Sequence, residues 1–160
     1  VGFFFGGMPM RRREREIRDE RQMRDILDRG LVCRLGLSDG RNPYVVPMSF
    51  GVRAGRLYLH SAGEGKKIDL IRRNNRVCFE VDVDAQVAPG EAPCRWSMKY
   101  RSVIGFGTAR ILEDHEEKRA GLGAVMAHYG GPEGPFDGKS LERTCVIEIA
   151  IERMTGKQSL

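Results

Sequence analysis

The pattern of apolar and polar positions predicts one helix followed by a series of strands. Residues 14–29 are mostly charged, and an apolar stripe from Ile17 to Leu27 recurs near helical spacing. We therefore expect a solvent-exposed helix that ends at Gly30, a residue type common at helix ends. Its arginines and carboxylates are expected to form pairs along the exposed face.

After Gly30 the apolar runs have the length of strands and are separated by turn residues. The predicted strands are 31–37, 44–53, 56–61, 76–82, 96–113 and 143–156. Ala54-Gly55 predicts a two-residue hairpin turn, and Pro47 marks an edge or bulge position. Gly105 and Gly107 predict a bend or bulge in the long fifth strand.

Two further helices are predicted between these strands. Residues 66–74 place Ile68, Leu70 and Ile71 on one buried side, and residues 114–130 begin after Asp114, a candidate N-cap. Residues 84–95 are expected to be a loop. The order of elements predicts an α+β fold, mainly β, with about six mostly antiparallel strands closing into a small barrel.

Composition narrows the possible classes of protein. The chain has 160 residues, 41% of them hydrophobic and 31% charged, which excludes a largely disordered chain. No uncharged apolar run approaches the roughly 20 residues of a membrane helix. Residues 1–9 are interpreted as a leader or expression remnant that is disordered, and residues 10–160 as a single domain.

The net charge indicates which kinds of binding partner the protein can have, and its cysteines indicate the cellular compartment. The net charge is +5, but residues 11–29 hold eight arginines against six acidic residues, so an isolated basic stripe is missing. A nucleic-acid partner is therefore disfavoured, whereas an anionic small ligand stays open. The four cysteines form no CxxC pair, which argues against structural zinc. Cys33, Cys78 and Cys145 lie in apolar runs and are expected to be buried, reduced thiols of a cytoplasmic protein.

Residues 57–74 carry the most informative pattern. A strand ends at His60-Ser61, a glycine turn follows, and a helix begins with Lys66 and Lys67. Lysines in a first helical turn oppose the helix dipole, but a bound phosphate would offset that conflict. The alternative is an ordinary turn and a solvated helix start, because the glycine spacing matches neither the dinucleotide fingerprint nor the P-loop.

These residues resemble the FMN-binding split barrel of the pyridoxamine 5'-phosphate oxidase-like superfamily. Within it, the sequence is similar to the nitroimidazole-resistance (Nim-type) reductase family. The stretches that carry the resemblance are VPMSFGV (46–52), LYLHSAGEGKKIDLIRRN (57–74), MKYRSVIGFGTARIL (98–112) and ERTCVIEIAIERMTGK (142–157). Together they cover nearly the whole chain after Gly30, and the HS–GxK and YRSV–FGTA stretches in this order are fairly specific.

The resemblance implies a homodimer with two FMN sites at the subunit interface. It implies that the cofactor phosphate and ribityl chain are held by His60, Ser61, Gly65, Lys66 and Lys67. It implies that the flavin ring lies along Pro47, Met48 and Ser49. Tyr100, Arg101, Ser102 and Val103 would lie near the flavin, from the same or the partner subunit, and Lys157 would approach the cofactor region.

The resemblance further implies an FMN-dependent oxidoreductase that reduces nitro-aromatic or similar small acceptors. His60 is then the candidate catalytic residue, because imidazole can deliver a proton near neutral pH. Without the resemblance, a packed histidine that holds the turn is the favoured interpretation of His60, and an outward-facing arginine is an equal alternative for Arg101. No metal ligand set is predicted.

The sequence leaves three alternatives to this oxidoreductase function. A pyridoxamine 5'-phosphate oxidase is disfavoured because the chain ends in MTGKQSL, without the Arg-Leu-x-Pro-type segment of that enzyme. A non-enzymatic flavin- or haem-binding protein fits the same scaffold, since a fold does not determine a function. A nucleic-acid module would bind DNA with steep salt dependence and have no yellow colour.

Overall fold

Residues 11–160 are described in a computed structural model as a mainly antiparallel sheet flanked by four α-helices. The expectation for residues 1–9 concerns a segment outside the described residues. The strands are β1 (Glu16–Ile17), β2 (Cys33–Ser38), β3 (Pro43–Met48), β4 (Phe50–Arg53), β5 (Arg56–Ala62), β6 (Arg76–Ala88), β7 (Ser97–Leu112) and β8 (Thr144–Ser159). The helices are α1 (Glu20–Arg29), α2 (Lys66–Arg73), α3 (His115–His128) and α4 (Gly138–Arg143).

The sheet is open, and a single residue connects its two edges. The hydrogen-bonded order is β3-β2-β6-β7-β8-β5-β4, and β1 also pairs with β8. Only Ser49 separates Met48 at the end of β3 from Phe50 at the start of β4. Two residues span at most about 7 Å, so the sheet must curl until its edges approach. The sheet is therefore split at this seam, which confirms the mainly β, mostly antiparallel split barrel implied by the resemblance, while the expectation that the strands close completely is wrong.

The core fills the inside of this curl with alternate strand residues. In β2, Cys33, Leu35 and Leu37 are buried, and the residues between them are exposed or half-buried. The largest fully buried side chains are Phe50, Phe79, Ile26, Leu27, Leu35, Leu57, Leu59, Ile68, Leu141, Ile147, Ile149 and Val81. Each contributes about 1.5–3 kcal/mol relative to exposure to water, so a change such as Phe79→Ala costs about 3–5 kcal/mol.

The bend in β7 occurs where the glycines predicted it. The register of β7 on β8 shifts between Phe106 and Gly107, which is the expected bulge. A Cβ atom placed on Gly105 would lie 2.1 Å from the Phe79 ring. Glycine at this position therefore lets the aromatic ring of β6 pack directly on the backbone of β7.

Several predicted elements are confirmed. Ala54 and Gly55 both have positive φ, 50° and 74°, as the hairpin turn between β4 and β5 requires. Helix α2 covers 66–73 and buries the three apolar residues assigned to its inner side. The Asp114 carboxylate accepts hydrogen bonds from two backbone N–H groups at the start of α3.

The first helix is shorter than expected. It begins at Glu20, after Asp19 as N-cap, and not at residue 14. Glu16 and Ile17 instead form β1, which pairs with Lys157 and Gly156 of β8. Strand pairing prevails here because it satisfies the backbone while burying Ile17, which is 3% exposed.

Residues 11–160 contain eight strands and not about six, because the run 44–53 divides at Ser49 and β1 was not expected. Residues 84–88 also belong to β6 and not to a loop, since Gln86–Ala88 pairs with Ser97–Lys99 of β7. Helix α4 was missed as well, and its N-cap is Asp137. The secondary structure of these segments depends on long-range pairing and packing, which cannot be inferred from local propensity.

Two further expectations concern cysteines and membranes. Cys33 and Cys145 are buried as expected, but Cys78 is only half-buried and Cys94 is exposed. Burial raises the pKa of the Cys33 thiol to about 12. None of the helices in residues 11–160 is long and apolar enough to cross a membrane.

Candidate functional site

The start of α2 leaves its first backbone N–H groups without a side-chain cap. Its N-cap is Gly65, with φ 119°, and an added Cβ there would meet nothing within 4 Å. The other three helices among residues 11–160 begin with a carboxylate that accepts backbone hydrogen bonds, from Asp19, Asp114 and Asp137. Uncapped N–H groups at the positive end of a helix dipole are suited to bind an external anion.

Two lysines add positive charge at this position. Lys66 is exposed and Lys67 is half-buried in the first turn of α2. The Lys66 Nζ lies 4.4 Å from the centroid of the Tyr44 ring on β3. This cation–π contact ties the start of α2 to the edge strand that carries Pro47.

His60 and Ser61 lie on the last part of β5, beside β8. Their register partners are Val146 and Cys145. The His60 side chain is exposed, and the Ser61 hydroxyl donates to the Ala62 carbonyl at 2.8 Å. His60 and Ser61 therefore precede Gly65 by five and four residues along one short connection.

The neighbourhood of Cys145 contains more positive charge than the sequence suggested. Burial raises the pKa of the Cys145 thiol, while the charges of Lys118, Arg72 and Lys67 act in the opposite direction. Lys118 is 7% exposed, and its ammonium donates to the Leu141 carbonyl. Three cations therefore lie close enough to Cys145, the register partner of Ser61, to act on its thiol. Lys118 was missed because it comes close to Cys145 only through the packing of α3 on β8, and Arg72 because it lies beyond the first turn of α2.

Pro47, Met48 and Ser49 lie at the end of β3. Pro47 is exposed on an edge strand that pairs only with β2, as expected for a residue without an N–H. The side chain of Met48 points into the core, and Ser49 is exposed at the seam of the sheet. Only Pro47 and Ser49 therefore offer side chains to an external ligand.

The predicted group on β7 divides between the two faces of the sheet. Strand alternation places Tyr100 and Ser102 on one face and Arg101 and Val103 on the other. Ser102 lies opposite Lys157 of β8 in the register, so these two predicted residues are neighbours. Val103 is fully buried in the core, which leaves its side chain unable to touch a ligand.

Asp84, in the segment that the sequence predicts as a loop, holds the Arg101 guanidinium. Its Nη1 donates to the Asp84 Oδ2 at 2.6 Å, and Arg29 of α1 donates to the other oxygen of the same carboxylate. Asp84 was missed because the sequence shows only a polar residue after a strand. Its role depends on the pairing of β6 with β7.

The two groups of predicted residues lie at opposite ends of the β7–β8 ladder. His60 pairs with Val146, which pairs with Leu112 of β7. Ser102 precedes Leu112 by ten residues on the same strand, a separation of up to about 33 Å in an extended strand. Within one chain, His60 and Ser102 are therefore not brought together.

Comparison with protein families identifies the chain. The model of the pyridoxamine 5'-phosphate oxidase family matches residues 19–158. The chain belongs to this family. The fold and the family therefore agree with the resemblance drawn from the strand-end and YRSV stretches.

Solved structures support the pyridoxamine 5'-phosphate oxidase family assignment. A candidate 5-nitroimidazole antibiotic resistance protein from Bacteroides thetaiotaomicron is 34% identical, with a TM-score of 0.80, covering 89% of this chain and 86% of that one. A flavocytochrome from Azotobacter vinelandii is 20% identical, with a TM-score of 0.81, covering 94% and 72%. An FAD- and haem-binding protein from Mycobacterium smegmatis is 20% identical, with a TM-score of 0.82, covering 91% and 73%. The last two show the fold alone. Comparison with curated protein sequences gave no significant match.

One cleft in residues 11–160 lies away from the residues that the family resemblance singled out. It has a volume of about 750 Å³ and lies between α1, the Ala54–Gly55 turn and the middle of β8. Its lining includes none of the predicted flavin residues. The start of α2 is instead an open surface, which a second chain would have to cover to enclose a ligand.

Proposed function

We propose that this protein is an FMN-binding flavoprotein that works as a homodimer with two sites at the subunit interface. We further propose that it is an oxidoreductase of the nitroimidazole reductase type, which reduces nitro-aromatic or similar small acceptors in the cytoplasm. The observation that carries the proposal is the uncapped start of α2, with Gly65 open to solvent and two lysines beside it.

The start of α2 fits the cofactor phosphate. A phosphate monoester carries about −1.5 to −2 charges at neutral pH, and two lysines and free N–H groups match that charge. In this assignment Gly65 lets the phosphate approach the backbone, while Lys66 and Lys67 bind it. Ser61 and His60, at the end of β5, would hold the ribityl chain.

The ring of the cofactor would lie along Pro47, Met48 and Ser49, with the apolar Pro47 side chain exposed on the edge of the sheet. Tyr100, Arg101, Ser102 and Lys157 of a second copy would complete the site, whereas the buried Val103 would only support the strand that carries them. Ser102 and His60 lie at opposite ends of the β7–β8 ladder, which favours a site shared between two copies over one built within a single chain.

An apolar surface beside Tyr100 also favours a second copy. The hairpin of β6 and β7 extends past the core and exposes Val87, Trp96 and Met98, which are 51%, 58% and 45% exposed. Val87 and Met98 are direct cross-strand partners. Exposed apolar patches of this kind mark interaction surfaces, and this one adjoins the residues assigned to the partner's flavin.

When bound, the flavin would supply the electron transfer between a donor and the substrate. The chain binds and orients the two molecules, which accounts for much of the rate in such reactions. The exposed His60 imidazole has no hydrogen-bond partner among the described residues. It is therefore free to deliver a proton from a ring nitrogen to the reduced substrate.

The test is a titration of the purified protein with FMN, followed by an anaerobic assay with NADH or NADPH and a nitro-aromatic acceptor. We expect saturable flavin binding and acceptor-dependent oxidation of the nicotinamide. The variant His60→Gln keeps a side chain that can hydrogen-bond the ribityl chain but cannot deliver a proton. It should lower the turnover at least tenfold while leaving FMN affinity within about twofold, since proton transfer typically contributes 10²–10⁴-fold. Binding without turnover would instead indicate a flavin carrier, and no binding would refute the proposal.

A further inference from the structure

The β6 strand contains a bulge directly opposite Tyr100. Val83 pairs with Arg101 and Gln86 pairs with Lys99, so Asp84 and Ala85 together face the single residue Tyr100. Asp84 has a φ of 59°, in the left-handed region. Bulges of this kind bend a strand and re-aim the side chains at the bulge.

The bulge directs the Asp84 carboxylate onto two guanidinium groups from different elements. One oxygen accepts from Arg101 of β7 at 2.6 Å, and the other accepts from Arg29 of α1. These two hydrogen bonds lower the pKa of Asp84, so the carboxylate is ionised at neutral pH. The Asp84 and Arg101 side chains are 34% and 35% exposed. A pair this exposed adds little to stability, which points to a role other than stability.

The ion pair fixes Arg101 while leaving part of its guanidinium available. Nη1 is directed at Asp84, and no other partner of Nη2 or Nε is present among the described residues. An arginine held in one rotamer loses less side-chain entropy on binding an acceptor. The same bulge lies directly opposite Tyr100, the first residue of the YRSV stretch.

We propose that Asp84 is a positioning residue of the flavin site, which holds Arg101 in the orientation that contacts the cofactor of the partner subunit. This inference rests on the proposed function, because it assigns Arg101 to the flavin. Asp84 acts only through Arg101 and does not touch the flavin itself.

The test measures the dissociation constant of FMN by fluorescence for the wild type, Asp84→Asn, Arg101→Met and the double variant. Asparagine tolerates the left-handed backbone, so Asp84→Asn removes the charge without disturbing the bulge. We expect Asp84→Asn to weaken FMN binding about three- to tenfold, the cost of ordering one long side chain. In the Arg101→Met background the same change should have less than about a twofold effect, since coupled residues are not additive.

Asp25→Asn is the matched control, because Asp25 is the other carboxylate bound to Arg29, at 3.2 Å, and does not contact Arg101. It should leave FMN affinity unchanged. Asp84→Gly, which also permits the left-handed backbone, should reproduce Asp84→Asn. The midpoint potential of the bound flavin gives a second readout, which should shift with Asp84→Asn only when Arg101 is present.

Equal effects of Asp84→Asn in both backgrounds would overturn the inference, and so would tighter FMN binding, which would show that Asp84 acts by charge alone. An unchanged affinity with an unchanged potential would overturn it as well, while the proposed function stood. If the wild type bound no FMN, the proposed function itself would fail, and the two failures are therefore distinguishable.

Discussion

Helices α2 and α3 begin in opposite ways. The Asp114 carboxylate caps α3 by accepting hydrogen bonds from the N–H groups of Glu116 and Glu117. At the start of α2 the corresponding residue is Gly65, which has no side chain to offer, and lysines occupy the first turn. Glycine is a nearly adequate N-cap, but a first turn of lysines works against the helix dipole. The difference shows which helix start is complete within the chain and which one is suited to an external anion.

The largest expected effect comes from removing the two cations at the α2 start. Lys66→Ala with Lys67→Ala should weaken FMN binding by about a hundredfold, because charge-assisted hydrogen bonds are worth roughly 1.5–3 kcal/mol each and the exposed lysine counts for less. Isothermal titration with FMN measures the change. Lys139→Ala on α4 is the control, and unchanged affinity in the double variant would remove the lysines from the site.

Giving α2 the kind of start that α3 has should also impair binding. Gly65→Asp places a carboxylate beside the proposed phosphate, and the left-handed φ of 119° disfavours any side chain. We expect FMN affinity to fall about tenfold through like-charge repulsion, which is about 1 kcal/mol between unit charges 4 Å apart in water. Gly65→Asn, a near-isostere without the charge, separates repulsion from strain. Equal losses in the two variants would show that strain alone is responsible.

The converse change at α3 should affect stability alone. Asp114→Ala removes a cap and should lower the free energy of unfolding by about 1 kcal/mol. Urea denaturation measures this loss of stability. An FMN titration of the folded variant should give the wild-type affinity. A clear loss of flavin affinity in Asp114→Ala would mean that the two helix starts do not differ in function.

The smallest effect on FMN affinity is expected from changing Tyr44, whose ring contacts the Lys66 ammonium. Tyr44→Leu removes the cation–π contact, which is worth about 0.5–1 kcal/mol at an exposed site. FMN affinity should change by about two- to fivefold, whereas Tyr44→Phe, which keeps the ring, should have no effect. Equal effects of the two variants would point to the hydroxyl group instead of the ring.

Local patterns predicted the parts of the fold that depend on local chemistry. The Ala54–Gly55 turn, the inner side of α2, the Asp114 cap and the bend at Gly107 all follow from the preferences of a few adjacent residues. The pairing of Ile17 with β8 could not be found in this way. It depends on a contact with a strand about 140 residues later in the chain.

In the candidate site, too, features formed by adjacent residues were predictable, whereas those that depend on distant contacts were not. The α2 start was identifiable because its glycine, serine and lysines are contiguous in sequence. Lys118 and Asp84 were missed because each comes close to the predicted residues only through the packing or pairing of distant elements, and Arg72 because it lies beyond the first turn of α2. The division of Arg101 and Ser102 between two faces follows from strand alternation, but only once the strand and its register are known.

The most direct test of the shared site is complementation between two defective variants. Lys66→Ala with Lys67→Ala damages one half of the site, and Ser102→Leu damages the other. Each variant alone should bind little FMN. When the two are co-expressed in equal amounts, random pairing makes about half of the dimers mixed, each with one intact site, so about a quarter of wild-type FMN capacity should return. A mixture that binds no more FMN than the two variants measured separately would contradict a site built from two chains.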